Sequence, residues 1–108
     1  MKRFLLLLLI ALPLAAQSPN TATLIVDITD ETGAHVSGAK VAVVNSATGA
    51  VREVSSDNGG TGAFPALSVT GTYLVTVSKA GFGSEERNDV ALRAGEIATL
   101  KEIGRAHV

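Results

Sequence analysis

The sequence predicts an all-β fold, a seven-stranded Greek-key sandwich of two sheets preceded by a cleavable export signal. Three observations carry this reading. From Thr21 onward, short segments alternate apolar and polar residues with period two; glycine-rich turn chemistry separates them; and no segment after the N-terminal apolar run has a helical period.

The chain opens with a basic start at Met1-Lys2-Arg3, an apolar run from Phe4 to Leu12, and a small-residue exit at Pro13-Leu14-Ala15-Ala16. That is the layout of a secretory signal peptide. A run of about nine residues is far shorter than the roughly 20 that span a bilayer. Cleavage is expected after Ala16, because a cut after Ser18 would place Pro19 immediately downstream. Residues 1–16 are then the signal and residues 17–101 the domain. Between Gln17 and Lys101 nine acidic residues outnumber six basic ones, for a net charge of −3. Lysine and arginine occur singly rather than in a stripe, which argues against a nucleic-acid partner. The chain has 0 cysteines, so even in an oxidising compartment the fold relies on its core.

The strand that organises the rest lies between Gly71 and Phe82, with Tyr73, Val75 and Val77 on one face and glycines at 71 and 81 bounding it. The first strand spans Thr21 to Thr29, with Leu24, Val26 and Ile28 inward, and stops at the turn Asp30-Glu31-Thr32-Gly33. The second runs from Lys40 to Asn45 with Val41 and Val43 on one face. The turn Ser46-Ala47-Thr48-Gly49 returns it into a third, Val51 to Ser56. Val51 and Val54 are out of phase, which predicts a bulge or an exposed valine.

Residues Asp57-Asn58-Gly59-Gly60-Thr61-Gly62 are expected to form a long hairpin loop. Phe64 and Leu67 follow as core contacts, and Pro65 marks a short strand or an edge. Gly81 to Arg87 reads as a polar connection, Val90 and Leu92 as a sixth strand, and Ala94-Gly95-Glu96 as the turn into a seventh carrying Ala98 and Leu100. Residues 102–108 are expected to be a non-native tail. Glu-Ile-Gly-Arg-Ala-His-Val reads like translated sequencing adapter, and it sets Glu102 at an inward position.

No catalytic, cofactor-binding or metal-binding residue is nominated. His35, in a turn, and His107, in the tail, have no partners with zinc-ligand spacing. The acidic segments Asp27-Ile28-Thr29-Asp30-Glu31 and Asp57-Asn58 would hold calcium only if the fold joined them, and ordinary solvated turn carboxylates account for both. Gly59-Gly60-Thr61-Gly62 lacks the lysine and the helix of a phosphate-binding loop. No serine has a nucleophile-elbow setting. A sugar site would call for exposed aromatic platforms, yet Phe64, Tyr73 and Phe82 all sit where a core would use them.

Together, Ile28-Thr29-Asp30 with Gly33, Val36-Ser37-Gly38-Ala39-Lys40-Val41-Ala42-Val43, Thr48-Gly49, Phe64-Pro65-Ala66-Leu67, and Gly71-Thr72-Tyr73 through Gly81-Phe82 resemble the carboxypeptidase regulatory-like domain. The resemblance covers about Thr21 to Lys101. It implies a prealbumin-like sandwich, also grouped with carbohydrate-binding-like folds, that is not catalytic. Two departures stand out: Thr61-Gly62 replaces an aromatic residue expected after Gly60, and Ser68-Val69-Thr70 is one residue longer than the usual turn.

Behind a signal peptide, such a domain is similar to the N-terminal extension of TonB-dependent outer-membrane receptors. The resemblance then implies a periplasmic location, with the plug and barrel of the same chain and a periplasmic protein as partners. The alternatives are a stand-alone secreted or surface sandwich that binds glycan or protein, and an accessory domain of a carboxypeptidase-like enzyme.

Overall fold

The computed structural model describes residues 20–106, so the expected export signal and His107 lie outside the described residues. Seven strands form: β1 (Thr21–Asp30), β2 (Lys40–Asn45), β3 (Val51–Ser55), β4 (Thr61–Ser68), β5 (Tyr73–Ser78), β6 (Glu85–Val90) and β7 (Ile97–Gly104). They make two sheets, one in the order β4-β1-β7 and the other β3-β2-β5-β6. The all-β sandwich expected from the alternation is the observed one.

Period-two patterning fixes which residues meet between the sheets. Leu24, Val26 and Ile28 of β1 face Val41 and Val43 of β2 and Tyr73, Val75 and Val77 of β5, and all are buried. Phe64 and Leu67 of β4 complete the core, together with Val36, Ala39 and Leu92 from connections. Burying each large apolar side chain stabilises the fold by roughly 1.5–3 kcal/mol. The three central strands, β1, β2 and β5, carry the cleanest alternation because each is bonded on both edges. β1 pairs antiparallel with β4 and parallel with β7, setting Val26 beside Leu100. β5 pairs antiparallel with β2, setting Val75 beside Val43.

The segment after β3 is a tighter device than a long hairpin loop. Asp57 Oδ1 accepts the backbone N–H groups of Gly59 and Thr61, at 2.9 Å each, and Gly60 N donates to Asp57 O at 2.9 Å. The carboxylate thus closes the turn, which releases Thr61 and Gly62 to begin β4. The connection also passes from one sheet to the other, so β3 and β4 are not a hairpin. Gly60 has φ +77°, and a Cβ there would lie 2.5 Å from Ile28 O. Gly62 packs under Val54 and Val41, whose methyl carbons would meet an added Cβ at 3.0 and 3.4 Å, so a side chain has little room there.

β4 is an edge strand, as Pro65 implies, but it runs for 8 residues rather than being short. It slips register between Ala22 and Leu24 of its neighbour, and Ala66 takes φ 58°, the left-handed conformation of a bulge residue. Val51 is the exposed valine, at 58%.

Glu85 to Arg87, expected as a polar connection, belong to β6, while Leu92 lies beyond that strand and is buried from a turn. β6 is an edge, so its inward positions opposite Val77 and Val75 are filled by Glu85 and Arg87 rather than by apolar residues. Phe82 is half-buried at the rim against Gly104 rather than in the core.

β7 does not stop at Lys101. Its parallel pairing continues through Ile28 with Glu102 and Asp30 with Gly104, and the alternation turns Glu102 inward, where it is 7% exposed. Arg87 Nη2 lies 3.0 Å from Glu102 Oε2, an ionic contact outside hydrogen-bonding geometry. Burial pushes the Glu102 carboxyl above its ordinary range, and the nearby Arg87 charge pulls it back in part.

Candidate functional site

A two-sheet sandwich has two open sides, and here they differ. On one, β6 faces β7, and charged side chains span the gap: Arg87 reaches Glu102, and Arg105 Nη1 stands 3.8 Å from Glu85 Oε2. On the other, β3 faces β4, and the gap is a cleft of about 190 Å³ lined by Val43, Asn45, Thr48, Ala50, Arg52, Ala66, Leu67, Ser68 and Tyr73.

The floor of the cleft comes from the alternation of the central strands. Val43 and Tyr73 point inward from β2 and β5, and Leu67 enters from the far side of the β4 bulge. The Tyr73 ring is 4% exposed, and its hydroxyl donates to Ser68 O, at the end of β4, at 2.8 Å. Buried tyrosines generally place the hydroxyl in this way, with the ring apolar and the tip bonded.

One wall is built by Asn45, 2% exposed at the end of β2. Its Oδ1 accepts the N–H groups of Ala47 at 2.8 Å and Thr48 at 3.0 Å, and its Nδ2 donates to Thr70 O at 2.8 Å. One side chain therefore shapes the β2–β3 turn and ties it to the Ser68-Val69-Thr70 connection, which absorbs the extra residue there. Asn45 went unassigned in the sequence reading. The available signal was an asparagine directly ahead of a turn, where its side chain can accept backbone N–H groups two residues on.

Arg52 crosses the mouth. Although exposed, it points toward the opposite sheet, and its Nη1 donates to Pro65 O at 2.8 Å. A guanidinium carries five N–H donors, so most of its capacity faces the cleft and solvent.

The residues weighed for metal binding are brought only partly together. Asp27, Thr29 and His35 border an open depression of about 340 Å³ on the outer face of the β4-β1-β7 sheet, with Gly59, Thr61 and Lys101. Asp27 Oδ1 there accepts Thr61 Oγ1 at 2.9 Å. Asp30 turns away and caps its own loop, accepting Thr32 Oγ1 at 2.6 Å and the N–H groups of Thr32 and Ala34. Those bonds, that from the Thr32 hydroxyl foremost, hold its carboxyl below the ordinary aspartate range. Asp57 serves the turn already described. Among the described residues no group of three or more His, Cys, Asp or Glu side chains could hold a metal ion.

A family model described as the carboxypeptidase regulatory-like domain matches residues 23–103 of the sequence, a span that runs from β1 into β7. The chain belongs to that family. Carboxypeptidase regulatory-like domains are non-catalytic sandwiches, and this one keeps the architecture through the whole matched span.

Among solved structures, the TIE protein of Bacillus anthracis superposes with TM-score 0.66 at 19% identity over 81% of this chain and 17% of that one. A streptococcal ancillary pilin gives TM-score 0.63 at 14% identity over 81% and 33%. A Bacteroides uniformis protein described as carbohydrate-binding gives 0.57 at 20% identity over 77% and 41%. At these identities the likeness is one of fold, and the chain spans less than half the length of each of these proteins. No curated protein matches the sequence.

Proposed function

We propose that this carboxypeptidase regulatory-like domain is a non-catalytic contact module of an exported protein, the N-terminal extension of a TonB-dependent outer-membrane receptor. The observation that carries the reading is the architecture itself. A sandwich whose polar side chains are used up in turns, Asn45, Asp30 and Asp57 among them, follows directly on an export-type N-terminal segment. The cleft between β3 and β4 has an apolar floor and one cation at its mouth, a surface suited to holding a partner.

The partners are then the plug and barrel of the same chain and a periplasmic protein.

Fractionation of the source cells tests this. The intact protein should sediment with the outer membrane and begin at Gln17 after export. Recovery in the culture supernatant as a chain of about this size, or a mature form still carrying Phe4 to Leu12, would overturn the assignment.

A further inference from the structure

The free edge beside the cleft defines how a partner would enter it. Asn45 N donates to Ala50 O at 2.9 Å and Ser56 N to Ala39 O at 2.8 Å, so the even-numbered residues of this strand turn their backbone groups toward β2. Val51, Glu53 and Ser55 therefore direct theirs outward, and among the described residues no backbone group bonds them. The other edges are guarded. β4 offers Pro65, which has no N–H, and the bulged Ala66; β6 offers Glu85, Glu86 and Asp89; and the side of β7 nearest β6 is spanned by ion pairs.

We propose that β3 accepts an added antiparallel strand, an extended peptide segment of another protein with the pattern acidic-x-apolar, and that its apolar side chain fills the cleft. The step from edge to pattern is geometric. In an added strand, the residues opposite Ala50 and Arg52 point to the same side as they do, toward the opposite sheet, with Cβ atoms about 4.5–5.5 Å from theirs. Those two positions are two residues apart along the peptide. The one opposite Ala50 enters a space of about 190 Å³ over Val43, Leu67 and Tyr73. That is below the roughly 300–1,000 Å³ of pockets for whole small molecules, and suits one anchoring side chain. The one opposite Arg52 meets a guanidinium with only Nη1 engaged, which favours a carboxylate. Backbone pairing supplies affinity and the alternate side chains supply specificity. A second copy of this chain is a poor occupant, because the self-pairing register that uses the whole strand sets Glu53 opposite Glu53.

The inference rests on reading the cleft as the module's contact site. Its failure would leave the outer-membrane assignment standing, since fractionation tests that separately.

The experiment is an amide NMR titration of the full chain with the blocked peptide Thr-Glu-Thr-Leu-Thr, alongside versions carrying lysine in place of leucine or of glutamate. The expected result is shifts at Val51, Arg52, Glu53, Leu67 and Tyr73, with slowed exchange of the Val51, Glu53 and Ser55 amides. Either lysine substitution should weaken binding about tenfold or more, the scale of losing one charge-assisted bond or one buried side chain. Arg52→Glu should reverse the preference toward the peptide with lysine in place of glutamate, a change that misfolding cannot produce.

Four results would overturn the proposal: no shifts at millimolar peptide, shifts confined to other strands, equal binding of all three peptides, or an unchanged preference in Arg52→Glu. Concentration-dependent dimers lost on Arg52→Glu, or displacement of the peptide by oligosaccharide, would assign the edge to another occupant and equally refute it.

Discussion

Tyr73 offers two separable perturbations, because its ring and its hydroxyl do different work. Tyr73→Ala removes a ring that is 4% exposed and packed over Val43 and Leu67. Truncating a buried aromatic costs about 3–5 kcal/mol, the upper part of that range arising where the void cannot relax. Here the void would merge with the cleft and open to water, which points to about 3 kcal/mol. For a domain of this size, that lowers the thermal midpoint by roughly 12–24 °C. Tyr73→Phe keeps the ring and removes only the 2.8 Å bond to Ser68 O, so about 0.5–1.5 kcal/mol is expected. Urea unfolding of wild type and both variants gives the assay, with midpoints shifting at constant slope. Equal midpoints for wild type and Tyr73→Ala would refute the placement of the ring. Equal losses in the two variants would show that the hydroxyl alone matters and that the packing argument is wrong.

Other variants probe the turns and the buried carboxylate. Asn45→Ala removes three hydrogen bonds around a buried amide and should destabilise by about 1–3 kcal/mol, while Asn45→Asp, which cannot donate to Thr70 O, should recover only part; chemical denaturation reads both. Gly60→Ala combines a left-handed φ with a 2.5 Å approach to Ile28 O and should cost well over 1 kcal/mol, whereas Gly33→Ala, with open space around it, should cost only the backbone term.

The pH dependence has opposite signs at two carboxylates. Glu102 is raised in the folded state, so its protonation favours folding: stability should fall as pH rises from about 4.3 through the folded value, and Glu102→Gln should abolish that component. Asp30 is lowered, so its contribution is present above the unfolded pKa and lost on acidification through the folded one, and Asp30→Asn should remove it. Midpoints measured across acidic pH that move in parallel for wild type and both variants would contradict these assignments.

The parts of the fold that were legible in the sequence are those where burial writes itself into the alternation. Leu24-x-Val26-x-Ile28 and Tyr73-x-Val75-x-Val77 are strands with both edges bonded and one face inward, so period two is strict and the facing residues follow. The sixth strand was expected around Val90, but its start at Glu85 was missed because an edge strand needs no apolar face. Glu85 and Arg87 fill its inward positions and partner charges on β7, a pattern that reads locally as a loop. The start of β4 was missed because Thr61 and Gly62 look like loop residues until Asp57 is seen to close the turn ahead of them.

The cleft was illegible for a further reason. Its walls come from β2, β3, β4 and β5, and only the pairing of two separate sheets brings Arg52 to Pro65 and Tyr73 to Ser68. The turn glycines, by contrast, announced the family while saying nothing of the site.

The reading of this domain as the first module of an outer-membrane receptor is tested most directly by sequencing the source gene across the codon for Lys101. The account predicts a reading frame that runs on into a plug and the alternating strands of a transmembrane barrel. A stop codon directly after Val108, or a metalloprotease domain in that place, would contradict it.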